Sequence, residues 1–212
     1  MPVLSSTRVM DVNYNANLPG YQTNVQLYTY NGNTPQQWMI EGVRGASYPG
    51  AKPYVQMNTN QVNCQGYAFF TNNKPYDWFS DDDWIDCMNS TTANQMLAIT
   101  KASMVGWLNA NFNGKWVGSA TVPTLDNNNQ WIVAMKVGKE RVYYYEEGYS
   151  RIEYDYHFWY RTYSGRWANK HGDANSEFLY NDTPSMNSSS GWVYGGYSPF
   201  YTSDVYYYKI TQ

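Results

Sequence analysis

The second half of the chain limits the fold more than any other part of it. Five stretches, 131–137, 141–145, 152–160, 166–170 and 205–210, have strand composition, drawing on Val, Ile, Tyr, Trp and Phe, residues that fit a pleated, half-buried surface. Ahead of them the pattern differs. Over about 92–112, Leu97, Met104, Leu108 and Phe112 recur at helical spacing and predict a long helix. A shorter helix after Cys64 would put Cys64, Tyr67 and Ala68 on one face. Helices first and strands afterwards predict an α+β domain, with helices packed on an antiparallel sheet. Between them, Asp81-Asp82-Asp83 reads as a loop or helix cap with solvated carboxylates, since further metal ligands are not at hand. No metal and no organic cofactor are expected.

Residues 1–48 read as β-rich, with strands at 8–12, 24–30 and 37–40 and an Asn31-Gly32 turn signal between the last two. The stretch 42–53 holds Gly42, Gly45, Pro49, Gly50 and Pro53 and is the natural boundary. The expected division is therefore an N-terminal β-hairpin appendage or pro-region, 1–48, and a main domain, 49–212.

With 212 residues the chain can hold one substantial core, or a core and a small appendage. A net charge of only −3 gives no electrostatic footprint for nucleic acid or an anionic membrane. No apolar run approaches the roughly 18 residues of a membrane span, and the first residues lack the charged and apolar regions of a signal peptide. The 23 Tyr and 9 Trp, set against 15% charged residues, suit wet, amphipathic surfaces. That balance is associated with secreted or cell-surface, carbohydrate-facing proteins. Two cysteines cannot make a disulfide framework; a single Cys64–Cys87 bond is the bland alternative to a reactive thiol.

Chemistry concentrates at Cys64 and His157, in a chain with two cysteines and two histidines. Asn63-Cys64-Gln65-Gly66-Tyr67 is a polar loop running into a helix-compatible stretch. A thiolate at a helix N-terminus is stabilised by free backbone N–H groups and the helix dipole, so a free thiol of lowered pKa is expected. His157, on a predicted strand, could take the thiol proton and return it to a leaving group. Cys87, beside Asp86 and Met88, lacks such a loop-to-helix setting.

The partner of His157 depends on hairpin register. Residues opposite one another across an odd-length loop have numbers summing to twice its centre. Pairing His157 with Asn169 centres the loop on Tyr163; pairing it with His171 centres it on Ser164, giving a Tyr163-Ser164-Gly165 loop with glycine at the left-handed position. On geometry alone His171 rivals Asn169, and both fall within diagonal reach.

Residues 54–212 resemble the small papain-like peptidases of bacteria, including the NlpC-type cell-wall enzymes. The resemblance rests on Asn63-Cys64-Gln65-Gly66-Tyr67, on Asp155-Tyr156-His157, and on Gly165-Arg166-Trp167-Ala168-Asn169-Lys170-His171-Gly172. It implies a papain-like cysteine hydrolase fold and a Cys64–His157–Asn169 triad, with Asn169 where many relatives carry a histidine and papain carries asparagine. It also implies an oxyanion site made by the Cys64 backbone N–H and Asn58, with Tyr54 and Gln61 as alternatives. A second resemblance covers 8–40. Asp11, Tyr28, Gln36 and the Gln36-Gln37-Trp38 motif are similar to one lobe of a ricin-type β-trefoil lectin, with Pro35 in place of the expected asparagine. A lone hairpin is marginal, so Leu27, Trp38 and Ile40 are expected to bury against other apolar surface, with weak glycan contact at most.

The resulting expectation is a secreted or cell-surface bacterial cysteine (thiol) hydrolase acting on peptide, protein or peptidoglycan-peptide amides. The alternatives are a carbohydrate-binding or adhesive protein with an inactive Cys/His site, and a transglutaminase-like acyl transferase.

Overall fold

The computed structural model describes residues 8–13, 24–29, 52–75, 77–144, 146–163, 165–172, 174–178 and 200–212. The chain divides into two compact units, Met1–Val43 and Arg44–Gln212, a boundary slightly ahead of the expected one. In the first, β1 (Arg8–Asn13) pairs antiparallel with β2 (Asn24–Thr29), placing Asp11 opposite Gln26 and Val9 opposite Tyr28. The Asn31-Gly32 turn, the expected strand at 37–40, and Pro35, Gln36 and Trp38 lie outside the described residues.

The second unit is α+β. Its helices are α1 (Cys64–Ala68), α2 (Asp81–Asn89) and α3 (Ala93–Phe112). Its strands are β3 (Trp116–Ser119), β4 (Gln130–Tyr144), β5 (Tyr149–Arg161), β6 (Trp167–Lys170), β7 (Ser176–Phe178) and β8 (Tyr206–Thr211). They form one sheet in the order β3-β8-β4-β5-β6-β7, antiparallel at each pairing.

The aspartate run at 81–83 is the first turn of α2, not a loop. Ser80 accepts from the Asp83 N–H while the Asp83 carboxylate accepts from the Ser80 N–H, a reciprocal cap that the residue types favour. The far end of α2 is closed by Lys139, whose Nζ donates to the carbonyls of Cys87, Met88 and Ser90 at 3.4, 2.6 and 2.5 Å. Thr92 and Gln95 form the same kind of cap at the start of α3. Met96, Leu97, Thr100, Met104 and Leu108 are its buried positions.

The helices cover one face of the sheet. Tyr67, Ala68, Cys87, Met96, Met104 and Leu108 join Val133, Met135, Phe158 and Tyr160 in one apolar cluster. A second cluster joins Ile132, Ala134, Trp159 and Trp167 to Phe200, Tyr201 and Val205. Burial on both faces explains why 131–135 reads as a continuous apolar run and not as an alternation. The expected strands at 131–137 and 141–145 are one long strand.

Candidate functional site

The start of α1 is set by Asn63. Its backbone is extended and its side-chain Oδ1 accepts from the Gly66 N–H at 2.9 Å, satisfying one of the helix's orphan donors. All five residues of α1 are buried, so the helix is packed all round instead of presenting one apolar face. Gly66 is dictated by space: a Cβ there would lie 1.9 Å from the Asn73 carbonyl oxygen.

Cys64 thereby meets β5 where that strand's outer edge is open. β6 pairs with β5 only across Trp159–Arg161, leaving the earlier part of the edge without a described strand partner. The Cys64 Sγ donates to the Tyr156 carbonyl at 3.9 Å and lies against the Phe158 N–H. The thiol is thus bracketed by the backbone on either side of His157. Cys64 and Cys87 are both free, so the disulfide alternative fails.

The expected lowering of the thiol pKa does not occur. Cys64 is pushed up to about 12, first by burial and then by the negative charge of Asp155, against weaker help from backbone N–H groups. A five-residue helix has little dipole to offer, and only 8% of Cys64 is exposed.

His157 sits on β5 opposite Lys136 of β4. Its ring belongs with Trp159, at a centroid distance of 4.5 Å, while Tyr154, Tyr156 and Phe158, of the other parity, pack with the helices. His157 Nε2 lies 3.0 Å from Asn169 Oδ1, fully buried. Since a carbonyl oxygen only accepts, Nε2 carries the proton and Nδ1 is left as the basic nitrogen.

The hairpin resolves the two rivals in an unexpected way. Trp159 faces Asn169 and Arg161 faces Trp167, so the numbers sum to 328, the register centred on Ser164. Gly165 has φ +83°, the left-handed conformation that such a loop favours. Asn169 reaches His157 diagonally from that register. His171 stacks on the His157 ring instead, with centroids 4.3 Å apart and planes 7° from parallel. Burial pushes His171 down to about 4, so it is neutral at pH 7 and its 3.7 Å approach to Glu177 is no ion pair there. His157 is held well below its usual value, mainly by burial and further by His171, against the Asn169 hydrogen bond. At neutral pH the thiol and the imidazole are both uncharged.

Cys64, His157 and His171 open on one cavity of about 430 Å³, walled by Phe79, Trp84, Tyr154 and Tyr156. Asn58 is exposed and not part of its lining, nor are Tyr54 and Gln61. The Tyr54 hydroxyl bonds to Ser176. None of the three expected oxyanion donors is thus among the residues that line the cavity. Gln65 is fully buried, with Oε1 accepting from the Trp78 indole at 2.8 Å and Nε2 without a partner. Among the described residues no cluster of three or more metal-ligating side chains is present, and no described helix is long and apolar enough to cross a membrane.

Two site residues escaped the sequence reading. Asp155 lines the same cavity, and its spacing of two from His157 on a strand was the available signal. Tyr201 donates to Asp155 Oδ2 at 2.5 Å and stacks beside His157 at 5.6 Å; being far along the chain, it left none. No family model, curated protein or solved structure matches the chain.

Proposed function

We propose that the second unit is a papain-like cysteine hydrolase cleaving peptide or peptidoglycan-peptide amides, with Cys64 as nucleophile, His157 as general base and acid, and Asn169 as the positioning residue. The observation that carries this reading is a thiol at the head of a capped helix, lying against the backbone of a histidine whose far nitrogen is held by a buried asparagine. In this scheme the Cys64 proton moves to His157 Nδ1 as sulfur attacks the amide carbon. His157 then protonates the leaving amine, and water hydrolyses the thioester. Asn169 keeps Nε2 protonated, so that Nδ1 is the nitrogen able to receive the proton. The Cys64 backbone N–H is the one oxyanion donor retained from the sequence reading.

Both groups rest uncharged, so proton transfer has to accompany substrate binding and the exclusion of water. The same fact supports the second reading, an adhesive protein with an inert Cys/His pair, because a thiol pushed up to about 12 is a poor nucleophile at neutral pH. Secretion or display at the cell surface belongs to the proposal. The transglutaminase-like alternative shares the same thiol, histidine and asparagine and differs in passing the acyl group to an amine in place of water.

Site-resolved alkylation with iodoacetamide, together with release of amine from murein peptides, tests this. Cys64 should react faster than the fully buried Cys87, and Cys64→Ala should abolish turnover. Equal, slow labelling of both thiols and no turnover would leave the inert reading standing.

A further inference from the structure

We propose that the Cys64 cavity selects substrates carrying a lysine-type alkylammonium side chain, which would lie along the aromatic wall with its charge on Asp155. This deepens the hydrolase reading and rests on it for the word substrate, though the binding site is argued independently. The cavity wall is aromatic on one side, where Phe79 stacks on Tyr154 with centroids 5.4 Å apart and the half-exposed Trp84 stands at 45%. Asp155 is its carboxylate, and no lysine or arginine is among the residues that line it. Among the described residues Asp155 has no cationic partner; its carboxylate accepts from the Tyr201 hydroxyl and from the Tyr156 backbone N–H.

Asp155 is half-buried at the cavity wall, and a carboxylate partly withdrawn from water without a counter-charge is stabilised when a cation joins it. Burial accordingly pushes Asp155 up to about 6, with the nearby Glu153 charge adding to the rise, and it is still ionised at neutral pH. Tyr201 occupies Oδ2 and fixes the group's orientation. The aromatic faces suit both the methylene stem and the ammonium head, since ring faces attract cations. Three further carboxylates, Asp81 to Asp83, precede Trp84 on α2 and favour the same sign of ligand. The choice of ligand also bears on reactivity. The Asp155 charge helps to push the Cys64 thiol up, so a bound ammonium removes that opposition as it docks.

The test uses the full chain with Cys64→Ala, so that binding is read without turnover. The probes are Nα-acetyl-lysine methylamide and Nα-acetyl-norleucine methylamide, which lack a free α-amine and differ mainly in the terminal charge. Followed by protein NMR titration, the lysine probe should bind at least about tenfold more tightly than the norleucine probe, the effect of one charge-assisted contact. Adding Asp155→Asn should bring that ratio to about one, while the amide oxygen keeps the Tyr201 hydrogen bond and the fold. Equal binding of the two probes, failure of the lysine probe to bind, or a preference surviving Asp155→Asn would overturn the assignment. A lysine preference in a chain that never cleaves would sink the hydrolase reading alone. Cleavage indifferent to a basic side chain would sink the cation site alone.

Discussion

Replacing Gly66 by alanine would put a methyl carbon 1.9 Å from the Asn73 carbonyl oxygen, 2.9 Å from its carbon and 3.0 Å from its nitrogen. Ordinary contact begins near 3.4 Å, so the backbone at Asn73 would have to retreat by about 1.5 Å (3.4 less 1.9). Little there can yield. Thr71 N–H donates to the Gly66 carbonyl at 3.0 Å, Thr71 Oγ1 bonds Asn73 Oδ1 at 2.7 Å, and Phe70 and Asn72 already occupy positive φ of 58° and 54°. Backbone overpacking of this kind costs about 3 kcal/mol, and the better helix propensity of alanine offsets about 1 kcal/mol. A net loss of about 2 kcal/mol lowers the melting temperature of a unit this size by about 4–8 °C. Thermal unfolding followed by near-ultraviolet circular dichroism reads that shift, and the same preparation should show altered alkylation of Cys64, two residues away. A melting temperature equal to or above the parent's would refute the reasoning, because it would mean the turn at 71–73 moves freely and does not clamp α1.

Three other predictions are open to test. Asn169→Ala should lower turnover by less than Cys64→Ala does, because neighbours partly hold the ring; a larger loss in His171→Ala than in Asn169→Ala would transfer the positioning role to the stacked histidine. Cys64 has a raised folded-state pKa, so its contribution to stability is fully present below about 9, the ordinary thiol value, and is lost as pH rises towards 12. Urea midpoints should therefore fall across that alkaline window, and less steeply in Cys64→Ala; parallel curves would rule this out. Lys139→Met strips the cap from three carbonyls at the end of α2 and should cost about 1–3 kcal/mol in chemical denaturation, with no change in midpoint as the disproving result.

The extent of α3 was legible because Leu97, Met104 and Leu108 recur at helical spacing, and all three are buried positions of the helix. The strand pairing around the candidate site was legible only as two alternatives, registers summing to 326 or 328; the structure takes 328, with Gly165 in the left-handed conformation. The short strands β3 and β7 were not, because three or four residues carry too little periodicity. Nor was the extent of α2, where three consecutive aspartates read as a loop or a helix cap until Ser80 and Lys139 are seen to close both ends.

What local order could not contain was the choice between Asn169 and His171. Both lie within reach in that register, and the assignment of one to hydrogen bonding and the other to ring stacking depends on side-chain packing across the strands. The ionisation of the thiol was likewise beyond sequence: a helix start argues for a low pKa, whereas burial under β5 and the charge of Asp155 raise it. A helix cap follows from nearby residues, but desolvation depends on everything that excludes water. Only the folded chain decides that.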